Sequence, residues 1–389
     1  MIKKSLCILL AALFLISAAS CAAENGEDGM SSTSENWEDG MSSTSENGTE
    51  TEKTVYTGRE TPLRKDGETM KVLISDPPGE DPFIVTKGAA PDPFVTYDPM
   101  TDYYYGMSTQ NSEIVLHRSR VLSELFTGGE SKKVYWTGTQ IFDSLWAPEM
   151  YYMDGLWYIY SSGTEDPRNP VKRLFVLVSK TSDPFDGFRF KSYIDNSIFG
   201  IDPTVYIDDE SGKRYLCFSE VIDGLQWLSI AELKKPWKIG PRTAICDPRD
   251  YEWDGMLNEG PFFVKHGKRL FIIYSACGCY DDNYKLGLLE YKGGDMLGKE
   301  NWEKHPEPIF VKNPDACVFA PGHASFFTSP DLSETWIAYQ CFYSTNAENP
   351  ARRRMRVCHV QPISFDETGF PVIGEPLSGD SLIPVPSGE

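Results

Sequence analysis

Short apolar runs recur along the chain in pairs, each pair split by a polar turn. Asp92-Pro93-Phe94-Val95-Thr96-Tyr97 turns at Asp98 to Asp102 and returns through Tyr103-Tyr104-Tyr105. Pro148-Glu149-Met150-Tyr151-Tyr152 turns at Asp154-Gly155 and returns through Trp157-Tyr158-Ile159-Tyr160. Asp202-Pro203-Thr204-Val205-Tyr206-Ile207 turns at Asp208 to Gly212 and returns through Tyr215-Leu216-Cys217-Phe218. Glu259-Gly260-Pro261-Phe262-Phe263-Val264 turns at His266-Gly267 and returns through Leu270-Phe271-Ile272-Ile273-Tyr274. His323-Ala324-Ser325-Phe326-Phe327 turns near Asp331 and returns through Trp336-Ile337-Ala338-Tyr339. Apolar runs of this length, bounded by turn residues and unaccompanied by helical periodicity, predict strands. Five copies begin at 92, 148, 202, 259 and 323, with spacings of 56, 54, 57 and 64. A near-regular period with strand pairs in each unit predicts an all-β, five-bladed β-propeller.

In such a ring the opening residue of each innermost strand faces the channel mouth. Three of these positions carry acids, Asp92, Asp202 and Glu259, and a fourth carries His323. Asp-Pro alone is usually a turn former, and this chain holds eight of them. The matched place of Asp92 and Asp202 in the repeat is what marks them as functional candidates. Glu259, beside Gly260-Pro261 at a buried strand start, is costly unless hydrogen-bonded or used. Carboxylates sharing one pocket repel, so at least one should hold its proton at neutral pH. A protonated acid facing an ionised base is what glycoside hydrolysis requires, and the inverting form leaves room between them for a water. His323 could ligate a metal, donate to a carboxylate, or sit as a hydrogen-bonded core imidazole.

The ends of the chain read differently. Residues 1–20 carry Lys3 and Lys4, an apolar run from Ile8 to Ile16 and small residues, which is a secretory signal. Ala18-Ala19-Ser20-Cys21 resembles a lipidation site, with Ala18 where Leu is usual; plain secretion is the alternative. Residues 21–55 are acidic, Ser-rich and internally repetitive, with too few apolar side chains to fold, and are expected to form a tether. The expected location is a bacterial cell envelope, with the membrane touched only through the lipid and the folded part exposed at the surface. Residues 72–389 form the expected propeller.

Net charge is -20, and the basic run Arg352-Arg353-Arg354 with Arg356 stands nearly alone, so nucleic acid is not expected as a partner. Of nine cysteines, Cys7 lies in the signal and Cys21 at the lipid site, leaving seven. That odd number, with Cys217, Cys341 and Cys358 in apolar strands, predicts buried thiols rather than a disulfide framework. No Cys/His spacing suggests structural zinc, and neither a Gly-x-Ser-x-Gly elbow nor a phosphate-binding glycine loop is present.

Ala90-Pro91-Asp92-Pro93-Phe94, Trp146-Ala147-Pro148-Glu149, Ile201-Asp202-Pro203-Thr204, Asn258-Glu259-Gly260-Pro261 and Pro321-Gly322-His323-Ala324-Ser325-Phe326 resemble, in order and spacing, glycoside hydrolase family 43. The resemblance implies a five-bladed propeller and inversion at the anomeric carbon. It makes Asp92 the general base, Glu259 the general acid and Asp202 the group that orients the acid and tunes its pKa. It places Trp146 in the sugar subsite and matches His323 to a channel histidine, often near a water-coordinated calcium. No cofactor is required; Ca2+ in the central channel is the metal it suggests. Arg356 would reach a sugar hydroxyl, unless the arginine run is a solvated face. Ala324 stands where many members carry Asn or Gly. The Asn-Asp-Pro-Asn-Gly nucleophile phrase of related retaining propellers is missing, which favours inversion. The implied substrates are plant cell-wall polysaccharides and oligosaccharides. The run from Tyr274 to Leu289 is closer to exo-acting α-L-arabinofuranosidases; β-xylosidase and endo-arabinanase are the alternatives, and a non-catalytic glycan-binding propeller is the competing class.

Overall fold

The computed structural model describes residues 58–389, except 60, 66, 77–88, 139, 167, 344–354 and the side chain at 170. The expected signal, lipidated Cys21 and tether lie outside the described residues, as do Arg352 to Arg354.

Five antiparallel sheets of four strands follow one another along the chain, the five-bladed propeller that the repeat predicts. Blade 1 comprises β2 (Phe94–Asp98), β3 (Tyr103–Met107), β4 (Glu113–Ser119) and β5 (Glu130–Trp136). Blade 2 comprises β6 (Asp143–Met153), β7 (Leu156–Asp166), β8 (Asn169–Ser179) and β9 (Phe188–Tyr193). Blade 3 comprises β10 (Gly200–Ile207), β11 (Arg214–Ile222), β12 (Leu225–Lys235) and β13 (Lys238–Cys246). Blade 4 comprises β14 (Asn258–His266), β15 (Arg269–Ala276), β16 (Lys285–Tyr291) and β17 (Trp302–Lys304). Blade 5 comprises β18 (Val318–Thr328), β19 (Thr335–Tyr343), β20 (Arg356–Phe365) and β21 (Pro371–Val372). Helical structure among the described residues is limited to three-residue 3-10 turns.

Each sheet is covered by a neighbour on both faces, which is why the second strands are apolar without alternation. Leu216, Cys217 and Phe218 of β11, and Phe271, Ile272 and Tyr274 of β15, are all fully buried. The innermost strands β2, β6, β10, β14 and β18 touch in sequence and close on themselves. At the axis Phe94, Tyr151, Phe262 and Phe326, from four different blades, meet with ring centroids 5.9 to 6.4 Å apart. They plug the channel with packed aromatic surface, each ring contributing about 1.5–3 kcal/mol of burial.

Ordered structure begins before Val72. A short strand, β1 (Thr69–Lys71), pairs with β22 (Leu382–Pro384). The chain then runs beside β20: Ile74 N–H donates to Cys358 C=O and Val360 N–H to Val72 C=O. Blade 5 is thus flanked by residues from both ends of the folded part.

Candidate active site

The first strand of blades 2 to 5 breaks its register where it reaches the mouth of the channel. Pairing jumps between Trp146 and Glu149, Ile201 and Thr204, Glu259 and Phe262, and Gly322 and Ser325. The residue after each jump starts has a left-handed backbone: Ala147 (φ 44°), Asp202 (57°), Gly260 (51°) and His323 (43°), with Asp92 (52°) at the same place in blade 1. Proline follows in four of the five (Pro93, Pro148, Pro203 and Pro261) and Ala324 in the fifth. Such a bulge turns two neighbouring side chains into the mouth instead of one.

This geometry corrects the sequence alignment of the repeats by one residue in two blades. The equivalent positions are 92, 147, 202, 260 and 323. Glu259 therefore does not occupy the position of Asp92 and Asp202; it matches Trp146 and Ile201, one residue earlier. Both rows reach the same cavity of about 520 Å³, which Asp92, Asp202, Glu259, His323, Trp146 and Arg356 all line. The six candidates come together.

Their partners set them apart electrically. Arg356 Nη1 donates to Asp92 Oδ1 at 2.7 Å, and the Thr109 hydroxyl donates to Oδ2 at 2.7 Å. Burial works to raise the Asp92 pKa, but the Arg356 charge, His323 and the Thr109 hydroxyl together pull it below the ordinary value. Asp92 is held ionised. Burial pushes Glu259 up to about 7, with the Asp92 charge adding and the Tyr284 hydroxyl, 3.0 Å from Oε1, opposing. Burial likewise lifts Asp202 to about 7; His323 and the Gly260 N–H (3.0 Å to Oδ2) resist, while Glu259 and Asp92 add to the rise. His323 Nδ1 lies 3.4 Å from Asp92 Oδ1 and 3.9 Å from Asp202 Oδ2, bridging the two.

Arg356 is not on a solvated face. It is largely enclosed, also reaches Gln340 Oε1 (3.1 Å), and its guanidinium lies 5.4 Å from the Tyr280 ring centroid. Trp146 is fixed at the rim: its indole N–H donates to Asn111 (2.8 Å) and Lys172 Nζ sits 4.2 Å from its ring centroid. Tyr280, 64% exposed, lines the cavity beside Arg356 and offers a second aromatic surface.

Sequence reasoning missed the second-strand residues that hold the bulges. Thr109, Ser162, Ser219, Ser275 and Gln340 stand at one repeat position, each opposite the residue that opens a bulge. Four of them reach across to the next blade. Ala147 N–H donates to Thr109 Oγ1 (2.8 Å), His323 N–H to Ser275 Oγ (2.7 Å), Asp92 N–H to Gln340 Oε1 (2.8 Å), and Ser219 Oγ to the Asn258 carbonyl (2.8 Å). Ser162 Oγ is buried without a partner. A Ser or Thr one or two residues past an aromatic or methionine in four of the five, as in Met107-Ser108-Thr109 and Phe218-Ser219, was the available signal. Glu149, below the cavity, bonds to Tyr151, and burial pushes it up to about 8.

Calcium takes six to eight oxygen ligands. The ring nitrogen of His323 faces two carboxylates already engaged by Arg356, Thr109 and Gly260. The axis beneath is filled by aromatic rings, and among the described residues no group of three or more His, Cys, Asp or Glu is placed so that it could hold a metal ion. These donors do not fit a directly ligated ion. All seven cysteines among the described residues are free.

Comparison with known proteins agrees with this architecture. The family model for glycosyl hydrolases family 43 matches residues 82–371. An extracellular exo-α-(1→5)-L-arabinofuranosidase of Streptomyces avermitilis is 30% identical over 300 residues, 73% of this chain and 61% of the relative. A protein of the same name from Streptomyces chartreusis is 30% identical over 277 residues, 67% of this chain and 82% of the relative. This chain thus spans about three fifths of the first and four fifths of the second. The α-L-arabinofuranosidase structure from Lactobacillus brevis superposes with a TM-score of 0.68 at 24% identity, covering 75% of this chain and 96% of that one, a likeness of fold. The chain belongs to glycosyl hydrolases family 43.

Proposed function

We propose that this chain is an inverting, exo-acting α-L-arabinofuranosidase that releases L-arabinofuranose from arabinan and arabinose-bearing plant oligosaccharides. The observation that carries this reading is the electrical division of one cavity, with Asp92 kept ionised and Glu259 kept protonated near neutrality. Asp92 acts as general base on the attacking water, and Glu259 as general acid on the leaving oxygen. Asp202 orients the acid region through the Gly260 N–H beside Glu259, and once ionised it raises the proton affinity of its neighbour Glu149. Trp146 supplies an apolar face to the sugar, while Arg356 serves Asp92 directly. The names of the Streptomyces relatives support arabinofuranoside as substrate and secretion as destination. The lipid anchor at Cys21 is a finer proposal that rests on the Ala18 to Cys21 sequence.

The test is sugar release from an aryl α-L-arabinofuranoside, an aryl β-xyloside and linear arabinan, with Glu259→Gln beside the native chain. Arabinose alone from the first and third is expected. Glu259→Gln should lose roughly 10²–10⁴-fold on arabinan, where the leaving group needs a proton, and less on the activated aryl substrate. Xylose release would transfer these residues to a β-xylosidase, and internal cleavage to an endo-arabinanase. Binding without release would favour a glycan-capturing propeller.

A further inference from the structure

The irregular segment between β15 and β16, which also carries Tyr280, sets a second tyrosine against Glu259 that no repeat position predicts. Tyr284 is 1% exposed and its hydroxyl donates to Glu259 Oε1 at 3.0 Å. Its ring packs with Phe319, Ala320 and Phe342 of blade 5 and lies over Gly322. A Cβ at 322 would fall 2.3 Å from the tyrosine ring, so only glycine leaves room for it. Gly322 is also the residue immediately before His323. Tyr284 is therefore wedged between the blade that carries the acid and the blade that carries the histidine, with its polar end on the acid.

A phenol is both donor and acceptor, but an ionised carboxylate only accepts. Its proton therefore points at Oε1. When Glu259 is protonated and Oε1 accepts from the phenol, the acidic proton must sit on Oε2. We propose that Tyr284 is a positioning residue for the proton donor, fixing which oxygen of Glu259 carries the proton and setting the alkaline edge of activity. This rests on Glu259 being the general acid. The other groups that face Glu259 are Asp92, Asp202 and Arg356 from the surrounding blades, Gln226 from blade 3 and Cys279 from its own loop. The carboxylates hold the proton on; the phenol and Arg356 favour its release. Tyr284 opposes Asp92 without adding a charge to the cavity.

The test is the pH dependence of kcat/KM on an arabino-oligosaccharide for the full chain, Tyr284→Phe, and a chain with 3,5-difluorotyrosine at 284. Tyr284→Phe keeps the wedge and removes the donor, so the alkaline limb should move up by on the order of one pH unit. Plateau activity should fall more on the oligosaccharide than on an aryl arabinofuranoside. The more acidic difluorophenol donates more strongly and should move the limb down. An unmoved limb in both folded variants, or shifts of the opposite sign, would overturn the proposal. Glu259→Gln assayed in parallel separates the two readings. Full activity on the oligosaccharide would sink the general-acid assignment and this inference with it. Loss there, with an unmoved limb in Tyr284→Phe, would sink this inference alone.

Discussion

Replacing Arg356 by Met should displace the whole pH profile toward alkaline values. The guanidinium is the cation bonded to Asp92, at 2.7 Å, and it lowers Asp92 against a burial that works to raise it. Without it the burial remains, together with the repulsion from Glu259 and Asp202. Those two neighbours are equally enclosed, have no arginine bonded to them, and sit at about 7. Asp92 in the variant should move toward the same range. A carboxyl titrating near 7 is about one-tenth ionised at pH 6, so kcat/KM there should fall roughly tenfold from protonation of the base alone. Arg356 also lowers Glu259, so the alkaline limb should rise as well, though less. A charge left buried without its partner typically destabilises by about 3–5 kcal/mol, and protonation of Asp92 relieves part of that below pH 7. The assay is kcat/KM on arabino-oligosaccharide from pH 4 to 9, with thermal unfolding at the same points to confirm a folded variant. An acidic limb that stays in place while KM alone rises would refute this account. Arg356 would then be a ligand for a sugar hydroxyl, the role that the family resemblance implies.

Two further substitutions test the energetics of the mouth. Asp202 is raised from 3.8 to about 7 by folding, so the folded state holds its proton more tightly and stability falls as pH rises through that window. Asp202→Asn should therefore leave the melting temperature unchanged near pH 4 and raise it by several °C at pH 8, a gain of a few kcal/mol; an equal effect at both pH values would contradict the assignment. Gly260→Ala places a Cβ 3.0 Å from His323 Nδ1 on a backbone with φ of 51°. A left-handed alanine costs about 1–2 kcal/mol, so melting should drop by a few °C and kcat/KM by about tenfold as Asp202 and Glu259 shift; native values for both would show that the bulge is pliant.

The sequence carried the ring and all six candidate residues, but not their register. Counting residues between apolar runs cannot say which residue of a bulge turns left-handed, because the bulge inserts length into one strand and not its partner. Glu259 and Gly260 were for that reason exchanged, as were Ala147 and Pro148. The proline after the turn would have aligned four blades correctly. Arg356 was ambiguous because an arginine run looks the same in solution and in a cavity; only the arrival of β20 beside Asp92 decides. Tyr284 left no trace in the pattern, since it sits in a connection whose path is set by packing on Gly322, a contact 38 residues away in sequence.

The hydroxyls and amide that bind four of the five blade mouths from the preceding blade give the ring a direction. Thr109 steadies blade 2, Ser219 blade 4, Ser275 blade 5, and Gln340 returns to steady Asp92 in blade 1. A loosened second strand is thus felt one blade downstream, at a group it does not carry. Asp92, the proposed base, is last in this relay, and depends on the blade that residues from both ends of the folded chain fasten in place. Damage to that fastening should reach the proposed base before it unfolds the ring, since blade 5 holds Asp92 through Gln340 and Arg356.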